Sequence, residues 1–258
     1  MTILTYHRII KADKDLPHKN LCVSPESFSS HIELLLKLRY NIISLDKYHE
    51  FLINDLSLKN NVVLTFDDGT VDLYKNAFPI IKKFQIPATF FVSTNPLQNL
   101  PLKSKVHPES DKYLNKSQIL ELHKGGIQIG SHSRSHRRLS RMPIDTARDE
   151  ISVSKKILED ILGCEVKWFC YPYGDWNPLL VEIVKNEGYS GACSVIRDNQ
   201  NTKDYIYFLK RVMVMEDTNY LRFRYFFTPF YHYLHKWKNK KRWGKFLGRL
   251  SYGKDTKD

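Results

Sequence analysis

The chain has 258 residues, of which 42% are hydrophobic and 26% charged. This composition excludes an intrinsically disordered protein, and the length suits one large α/β domain. The net charge of +12 is unevenly distributed: residues 219–258 hold eleven Lys or Arg against two Asp or Glu, and the remainder carries only +3. The basic character therefore belongs to the C-terminal tail.

Short β-branched or aromatic runs alternate with amphipathic stretches, as parallel strands alternate with covering helices in α/β folds. The predicted strands are Thr2–Tyr6, Asn41–Ile43, Val62–Phe66, Ala88–Val92, Ile127–Ser131, Val166–Cys170, Tyr189–Ser194 and Tyr207–Val214. The predicted helices are Phe28–Leu38, Asp46–Ile53, Tyr74–Phe84, Ser117–His123, Ile144–Leu162 and Pro178–Asn186. This order fits either a closed barrel or an open doubly wound sheet. In both architectures the active site lies at the carboxyl ends of the strands.

The first chemical motif, Asp67-Asp68-Gly69, follows the apolar strand Val62–Phe66. Two adjacent carboxylates repel each other unless a cation or a proton lies between them. Because side chains alternate along a strand, both carboxylates can face one site only where the strand breaks, and Gly69 allows such a break. A solvated turn is the alternative interpretation.

The second motif places His132 and His136 directly after the strand Ile127–Ser131. Histidines four residues apart are expected to meet on one face of a helical turn, where both imidazoles can bind one metal ion. Such a pair is weak evidence by itself. Together with the carboxylates it supplies an Asp/His/His set that leaves open positions for water and substrate.

These motifs resemble the polysaccharide deacetylase family, also called carbohydrate esterase family 4. The resemblance covers roughly residues 2–215 and rests on five segments: Leu4-Thr5-Tyr6-His7-Arg8-Ile9, Thr65-Phe66-Asp67-Asp68-Gly69, Pro87-Ala88-Thr89-Phe90-Phe91-Val92, Ser131-His132-Ser133-Arg134-Ser135-His136 and Phe169-Cys170-Tyr171-Pro172-Tyr173-Gly174. It implies a distorted (β/α)7 TIM-like barrel that binds zinc or a similar divalent ion and removes an N-acyl group, in most cases N-acetyl, from an amino-sugar glycan.

The resemblance also implies roles for individual residues. Asp67 matches the catalytic base, whereas Asp68, His132 and His136 match the metal ligands. Tyr173 matches the position whose backbone N–H helps to hold the oxyanion. These roles agree with general chemistry, since a metal acidifies bound water and a carboxylate accepts the proton during attack.

Two departures from the family pattern concern the catalytic machinery. Many members carry an arginine at the position of Cys170, where it orients the catalytic aspartate; Arg211 is a candidate replacement, and a surface salt bridge is the alternative. The histidine acid that many members carry near the last strand is also absent. His7, at the end of the first strand, is the best-placed substitute, and a packed core histidine is the alternative.

The tail, residues 219–258, interleaves aromatic and basic side chains and is expected to form a helical extension of a barrel spanning residues 1–218. Contact with an anionic membrane surface and packing on the barrel explain this pattern equally well, and nucleic-acid binding is the weakest interpretation. The N-terminal segment lacks the features of a secretory signal, so a cytoplasmic protein is expected, and contact of the tail with a membrane would place it at the inner membrane face. A non-catalytic glycan- or lipid-binding protein that keeps the deacetylase barrel is the alternative to an enzyme.

Overall fold

A barrel of parallel strands organises the protein. The computed structural model describes residues 2–13, 16, 18–57, 59–102 and 112–239. The strands of this part of the chain are β1 (Thr2–Tyr6), β2 (Arg8–Ile9), β3 (Cys22–Val23), β4 (Asn41–Ile42), β5 (Asn61–Phe66), β6 (Thr89–Val92), β7 (Gln128–Ser131), β8 (Trp168–Cys170), β9 (Gly191–Arg197) and β10 (Leu209–Met213). All eight predicted strands are present, with bounds shifted by a few residues.

Seven of these strands close into the barrel in the order β1-β10-β9-β8-β7-β6-β5, and parallel pairing of β1 with β5 completes the ring. The short strand β4 pairs with the first residues of β5, and β2 and β3 form a separate two-stranded sheet. The sequence pattern was compatible with a doubly wound sheet as well as with a barrel. The pairing of β1 with both β5 and β10 establishes the closed barrel instead.

Helices connect and cover the strands. They are α1 (Pro25–Lys37), α2 (Leu45–Ile53), α3 (Phe78–Phe84), α4 (Lys116–Lys124), α5 (Ile144–Leu162), α6 (Pro178–Asn186), α7 (Tyr220–Tyr225) and α8 (229–239). Helix α1 begins three residues before its predicted start because Ser24 caps it, accepting a hydrogen bond from the backbone N–H of Ser27. A π-helical turn over Leu73–Ala77 leads into α3. None of the described helices is long and apolar enough to cross a bilayer.

Alternation along the strands divides the side chains between two cores. Ile3, Val63 and Leu209 belong to the smaller cluster inside the barrel, whereas Leu4 and Leu64 belong to the larger cluster between barrel and helices. The same alternation directs Thr65 and then Asp67 towards the inside, at the carboxyl end of β5. The periodicity that builds the core therefore also places the carboxylate of Asp67 at the end of the barrel.

The described part of the tail packs on the barrel. Phe223 of α7 is fully buried and stacks on His31 of α1 with ring centroids 4.2 Å apart, and Phe226 and Tyr231 are 3% exposed. Helix α8 nevertheless leaves Phe230, Tyr233 and Trp237 about two-thirds exposed. The first turns of the tail thus complete the outer core, while one face of α8 is open to solvent. The domain boundary at residue 218 stays a prediction, and the rest of the tail lies outside the described residues.

Candidate metal and catalytic site

The loop after β5 carries both carboxylates at the end of the barrel. Asp67 and Asp68 are 2% and 3% exposed, so the solvated turn considered from the sequence is excluded. The φ of Asp68 is 74°, in a region that residues other than glycine seldom adopt. Gly69 follows with φ of 71°, and a Cβ there would lie 3.1 Å from Cγ1 of Val92. This sharp reversal of the backbone allows two adjacent side chains to face the same site.

The histidine loop after β7 is irregular, so the expectation of a helical turn was wrong. Ser133 and His136 have φ of 63° and 53°, and backbone N–H groups of Thr94 and Asn95 bond to carbonyls of residues 133 and 134. These carbonyls therefore pair with the neighbouring loop and not with a following turn of helix. The rings of His132 and His136 still lie close together, with centroids 4.9 Å apart.

Asp68, His132 and His136 converge at one point. Oδ1 of Asp68 lies 3.1 Å from Nε2 of His136 and 3.4 Å from Nε2 of His132. One ligand atom from each residue falls within 4.8 Å of the others, and all three side chains are buried. Three buried donors of these types, gathered this closely, fit a divalent ion with open coordination positions.

The tautomer of His132 is set by a neighbouring strand. Its Nδ1 lies 2.7 Å from the backbone carbonyl oxygen of Cys170, so Nδ1 carries the proton and donates it. Nε2 is then unprotonated and presents its lone pair to the candidate metal position. Metal-binding histidines in proteins almost always carry such an outer hydrogen bond.

Asp67 is held by Arg211 across the inside of the barrel. Nη1 and Nη2 of Arg211 donate to Oδ1 and Oδ2 of Asp67 at 2.8 and 2.7 Å, a bidentate geometry. Nη1 also donates to the hydroxyl of Thr65, and Nε donates to the carbonyl of Ser194. Arg211 is 1% exposed, which excludes the surface salt bridge considered for it. Nη2 lies 3.1 Å from Sγ of Cys170, so the guanidinium reaches the position where many family members carry their arginine.

This pairing controls the charge of Asp67. Burial raises the pKa of the carboxyl, but the charge and hydrogen bonds of Arg211, with smaller contributions from His7 and His132, outweigh burial and lower that pKa below its ordinary value. Asp67 is therefore ionised at neutral pH and able to accept a proton.

His7 approaches the same carboxylate from the end of β1. Its Nε2 lies 3.8 Å from Oδ2 of Asp67, and its Nδ1 makes no hydrogen bond within the described part of the chain. Asp72 fixes the segment that follows, because its carboxylate accepts from the backbone N–H of Ile9 and from Nε of Arg8. The sequence placed His7 at a strand end, and the structure brings it beside the proposed base.

Tyr173 lies beside the candidate metal ligand His136. It occupies a 3₁₀ turn with φ of 59°, and its ring centroid is 4.9 Å from that of His136. The two tail histidines are engaged elsewhere: His232 contacts Asp198 through Nδ1 at 2.9 Å, and His235 packs on Tyr231. The strand-end positions are thus the ones that the fold brings together.

Glu150 of α5 is a site residue that the motif analysis missed. Its buried carboxylate accepts hydrogen bonds from the backbone N–H groups of Arg134 and Ser135 and from the hydroxyl of Ser135, inside the histidine loop. Glu150 lies on the face of α5 that also buries Ile151 and Leu158. A glutamate next to the apolar positions Ala147, Ile151 and Leu158 of this helix is the signal that could have identified it.

Cysteine exposure is mixed. Cys22, Cys170 and Cys193 are buried, whereas Cys164, which lies in the turn after α5, is exposed. No disulfide joins any of the four cysteines, all of which lie in the described part of the chain.

Solved structures of deacetylases have the same fold. The structure of the Streptococcus pyogenes deacetylase PplD in complex with acetate superposes with a TM-score of 0.79 and 24% identity, covering 89% of this chain and 98% of that one. IcaB from Ammonifex degensii gives a TM-score of 0.71 and 24% identity, covering 84% of this chain and 92% of that one. At this identity the two likenesses establish the barrel.

Sequence comparisons give the same result. The Bacillus subtilis protein YxkH, provisionally named a polysaccharide deacetylase, is 26% identical over 215 residues, 83% of this chain and 71% of that protein. The poly-beta-1,6-N-acetyl-D-glucosamine N-deacetylase of Staphylococcus aureus is 24% identical over 229 residues, 83% of this chain and 78% of that enzyme. The family model described as polysaccharide deacetylase matches residues 57–192, which include both ligand loops. With more than half of its length matched by that model, the chain belongs to the polysaccharide deacetylase family.

Proposed function

We propose that this protein is a metal-dependent carbohydrate N-deacetylase that hydrolyses the N-acetyl group of an amino-sugar glycan. The observation that carries this proposal is the buried cluster of Asp68, His132 and His136 beside an ionised aspartate, Asp67. The family to which the chain belongs is metal-dependent, and the Staphylococcus aureus relative is named for N-deacetylation of a glucosamine polymer.

Zinc is the ion that this ligand set suits best. Two imidazole nitrogens and one carboxylate oxygen are common zinc ligands, and three protein ligands leave a position for water or substrate. A bound zinc ion would supply Lewis acidity, lowering the pKa of water and polarising the acyl carbonyl. Asp68, His132 and His136 would hold it, with Cys170 fixing the orientation of His132 through the carbonyl contact.

The remaining residues divide the proton transfers between them. Asp67, ionised and oriented by Arg211, takes the proton of the attacking water. His7, 3.8 Å from Asp67, delivers a proton to the leaving amine. The backbone N–H of Tyr173 donates to the oxyanion, which Pro172 could not do because proline lacks this group.

Acetate and amine release from a panel of N-acyl sugars tests this proposal. We expect zinc-loaded protein to release acetate and free amine in equal amounts from N-acetylated glucosamine oligosaccharides, free or lipid-linked. A formate-releasing substrate would identify a different acyl group. Protein that binds zinc and glycan without releasing either product would support the alternative, a non-catalytic glycan- or lipid-binding barrel.

The proposal extends to the location of the enzyme. Phe230, Tyr233 and Trp237 follow one another at helical spacing of three and four residues, so they share one face of α8, and each is about two-thirds exposed. Lys236 and Lys238 lie on the same helix. An aromatic face with basic neighbours suits peripheral contact with an anionic membrane surface. Such contact would hold a cytoplasmic enzyme near lipid-linked glycans.

A further inference from the structure

The histidine loop carries an unusual concentration of positive charge. Residues 131–141 contain four arginines and no acidic residue, and Arg137, Arg138 and Arg141 are exposed. The loop thus places positive charge beside metal ligands that the fold itself buries. Neither the metal cluster nor the proton transfers described above use these side chains.

Arg138 is held at the rim of the site. Its guanidinium lies over the ring of Tyr173, 4.4 Å from the centroid, and this ring in turn lies 4.9 Å from that of His136. Ser140 fixes the same segment, because its backbone N–H and its hydroxyl both donate to Oδ2 of Asp175. Stacking orients a guanidinium while leaving its N–H edge able to bind an anion.

Some arginines of the described chain pair with carboxylates, but these three do not. Aspartates bind Arg8, Arg148, Arg211 and Arg222. In the described part of the chain, no carboxylate lies within ion-pair distance of Arg137, Arg138 or Arg141. The nearby carboxylate of Asp175 accepts hydrogen bonds from Ser140 instead. An oriented arginine without an acidic partner, beside a catalytic centre, is arranged to receive a negative charge from outside the protein.

We propose that Arg138, supported by Arg137 and Arg141, recognises an anionic substituent on the substrate, so that the enzyme prefers amino-sugar glycans bearing phosphate or carboxylate close to the N-acyl group. This inference rests on the proposed deacetylase function and adds the substrate class. Arginine binds phosphate and carboxylate with paired N–H groups, which gives orientation as well as affinity. Arg138 acts here as a specificity-determining residue.

Matched sugars test the preference. The substrates are the methyl glycoside of N-acetylglucosamine, its 6-phosphate, N-acetylglucosamine 1-phosphate and N-acetylmuramic acid, which separate neutral, phosphorylated and carboxylated sugars. We measure kcat/KM for acetate release by the zinc-loaded full chain, and dissociation constants with the Asp67→Asn variant. At least one anionic sugar should exceed the neutral one about tenfold in both measurements, as expected for a charge-assisted contact. The phosphate and carboxylate arms identify which anion is recognised.

Three variants connect this ratio to the loop. Arg138→Gln should reduce the anionic-to-neutral ratio to about twofold or less, and Arg138→Lys should give an intermediate ratio because it keeps the charge but loses the paired N–H geometry. Arg148 is an exposed arginine on α5, so Arg148→Gln is the matched control and should keep the wild-type anionic-to-neutral ratio. Equal affinity for all four sugars, or an undiminished ratio in Arg138→Gln, would overturn the inference. Loss of acetate release from every sugar would refute the deacetylase proposal. The dissociation constants would still show whether Arg138 recognises an anionic substituent.

Discussion

Asp67 and Arg211 neutralise each other inside the barrel, so substitutions at either residue affect both chemistry and stability. A buried ion pair that loses one partner leaves an uncompensated charge, at a cost of about 3–5 kcal/mol. Arg211 is the harder of the two to replace, because it also donates hydrogen bonds to Thr65 and Ser194. The network therefore restrains the orientation of the Asp67 carboxylate.

The metal ligands give the first prediction. His132→Ala should lose most of its bound metal, because removal of a direct ligand lowers metal affinity by more than the roughly 10–100-fold lost with an outer partner. Metal content after dialysis, measured by mass spectrometry, checks this. His123→Ala, a histidine on α4, is the control and should retain the wild-type content. Full occupancy in the His132→Ala/His136→Ala double variant would refute the metal assignment.

Asp67→Asn should keep its metal but lose about 10²–10⁴-fold in turnover, the usual effect of removing a general base. The buried guanidinium of Arg211 would then lack a counter-charge, so unfolding should also occur at lower temperature. Steady-state kinetics with a metal assay and calorimetry measure both effects. A variant that lost its metal yet turned over substrate with added zinc would show that the two aspartates have exchanged roles.

Arg211→Gln should reduce turnover and destabilise the fold by about 3–5 kcal/mol. The exposed Arg197→Gln, on the adjacent strand, should change neither property. Rescue separates positioning from simple structural support: Cys170→Arg added to Arg211→Gln returns an arginine to the place where many family members carry it. Partial recovery of kcat in the double variant is expected, and a recovery of stability alone would show that Arg211 does not orient the base.

At the scale of elements, His31 joins α1 to the tail. It stacks on Phe223, contacts the hydroxyl of Tyr6, and is 6% exposed. Burial lowers the pKa of His31 to about 4, against an opposing hydrogen bond to the backbone of Thr218. Between about pH 6.5 and 4 the unfolded chain binds this proton and the folded chain does not. Stability from this residue is therefore full near pH 7 and is lost as the pH falls through that window.

Urea unfolding at pH 7 and pH 5 measures this effect. The wild-type protein, studied with chelator so that metal release does not contribute, should lose about 2 kcal/mol more over this interval than His31→Gln. The variant should be less stable at pH 7 because the stack on Phe223 is gone. Equal losses in both proteins would show that the docking of α7 is insensitive to protonation of His31.

For the whole molecule, the exposed face of α8 predicts binding to anionic vesicles that weakens as salt rises. Each basic residue near such a surface contributes about 1 kcal/mol, screened within about 10 Å at moderate salt. Replacing Phe230, Tyr233 and Trp237 with Ala should remove the part of vesicle binding that survives high salt.

The control is Leu179→Ala, which removes an exposed apolar side chain from α6. Trp243, another aromatic residue of the tail, lies outside the described residues. Cosedimentation measures binding, and full-length protein that ignores anionic vesicles at low salt would end the membrane proposal.

Much of the fold could be predicted because its signals are local. Short β-branched or aromatic runs identified every barrel strand, and the strand-end rule placed Asp67, His132 and His7 at one end of the barrel. The irregular path of residues 132–136 could not be predicted, because contacts with Thr94, Asn95 and Glu150, distant in sequence, decide it. Arg211 was only a candidate from its sequence, since its partner lies 144 residues away. The burial of Phe223 likewise depends on its contact with His31.

The closure of the barrel through β1 has a consequence for synthesis on the ribosome. β1 pairs with β5 soon after both emerge, but β10, which carries Arg211, follows 144 residues after Asp67, a delay of about 7–30 s at usual elongation rates. During that interval β1 presents one unpaired edge and Asp67 has no counter-ion. Non-local pairing of this kind also slows folding after release. The complete site, in which Asp67 is paired with Arg211, therefore forms only after the last strand has closed the ring, and until then the nascent chain exposes an unpaired strand edge of the kind that chaperones protect.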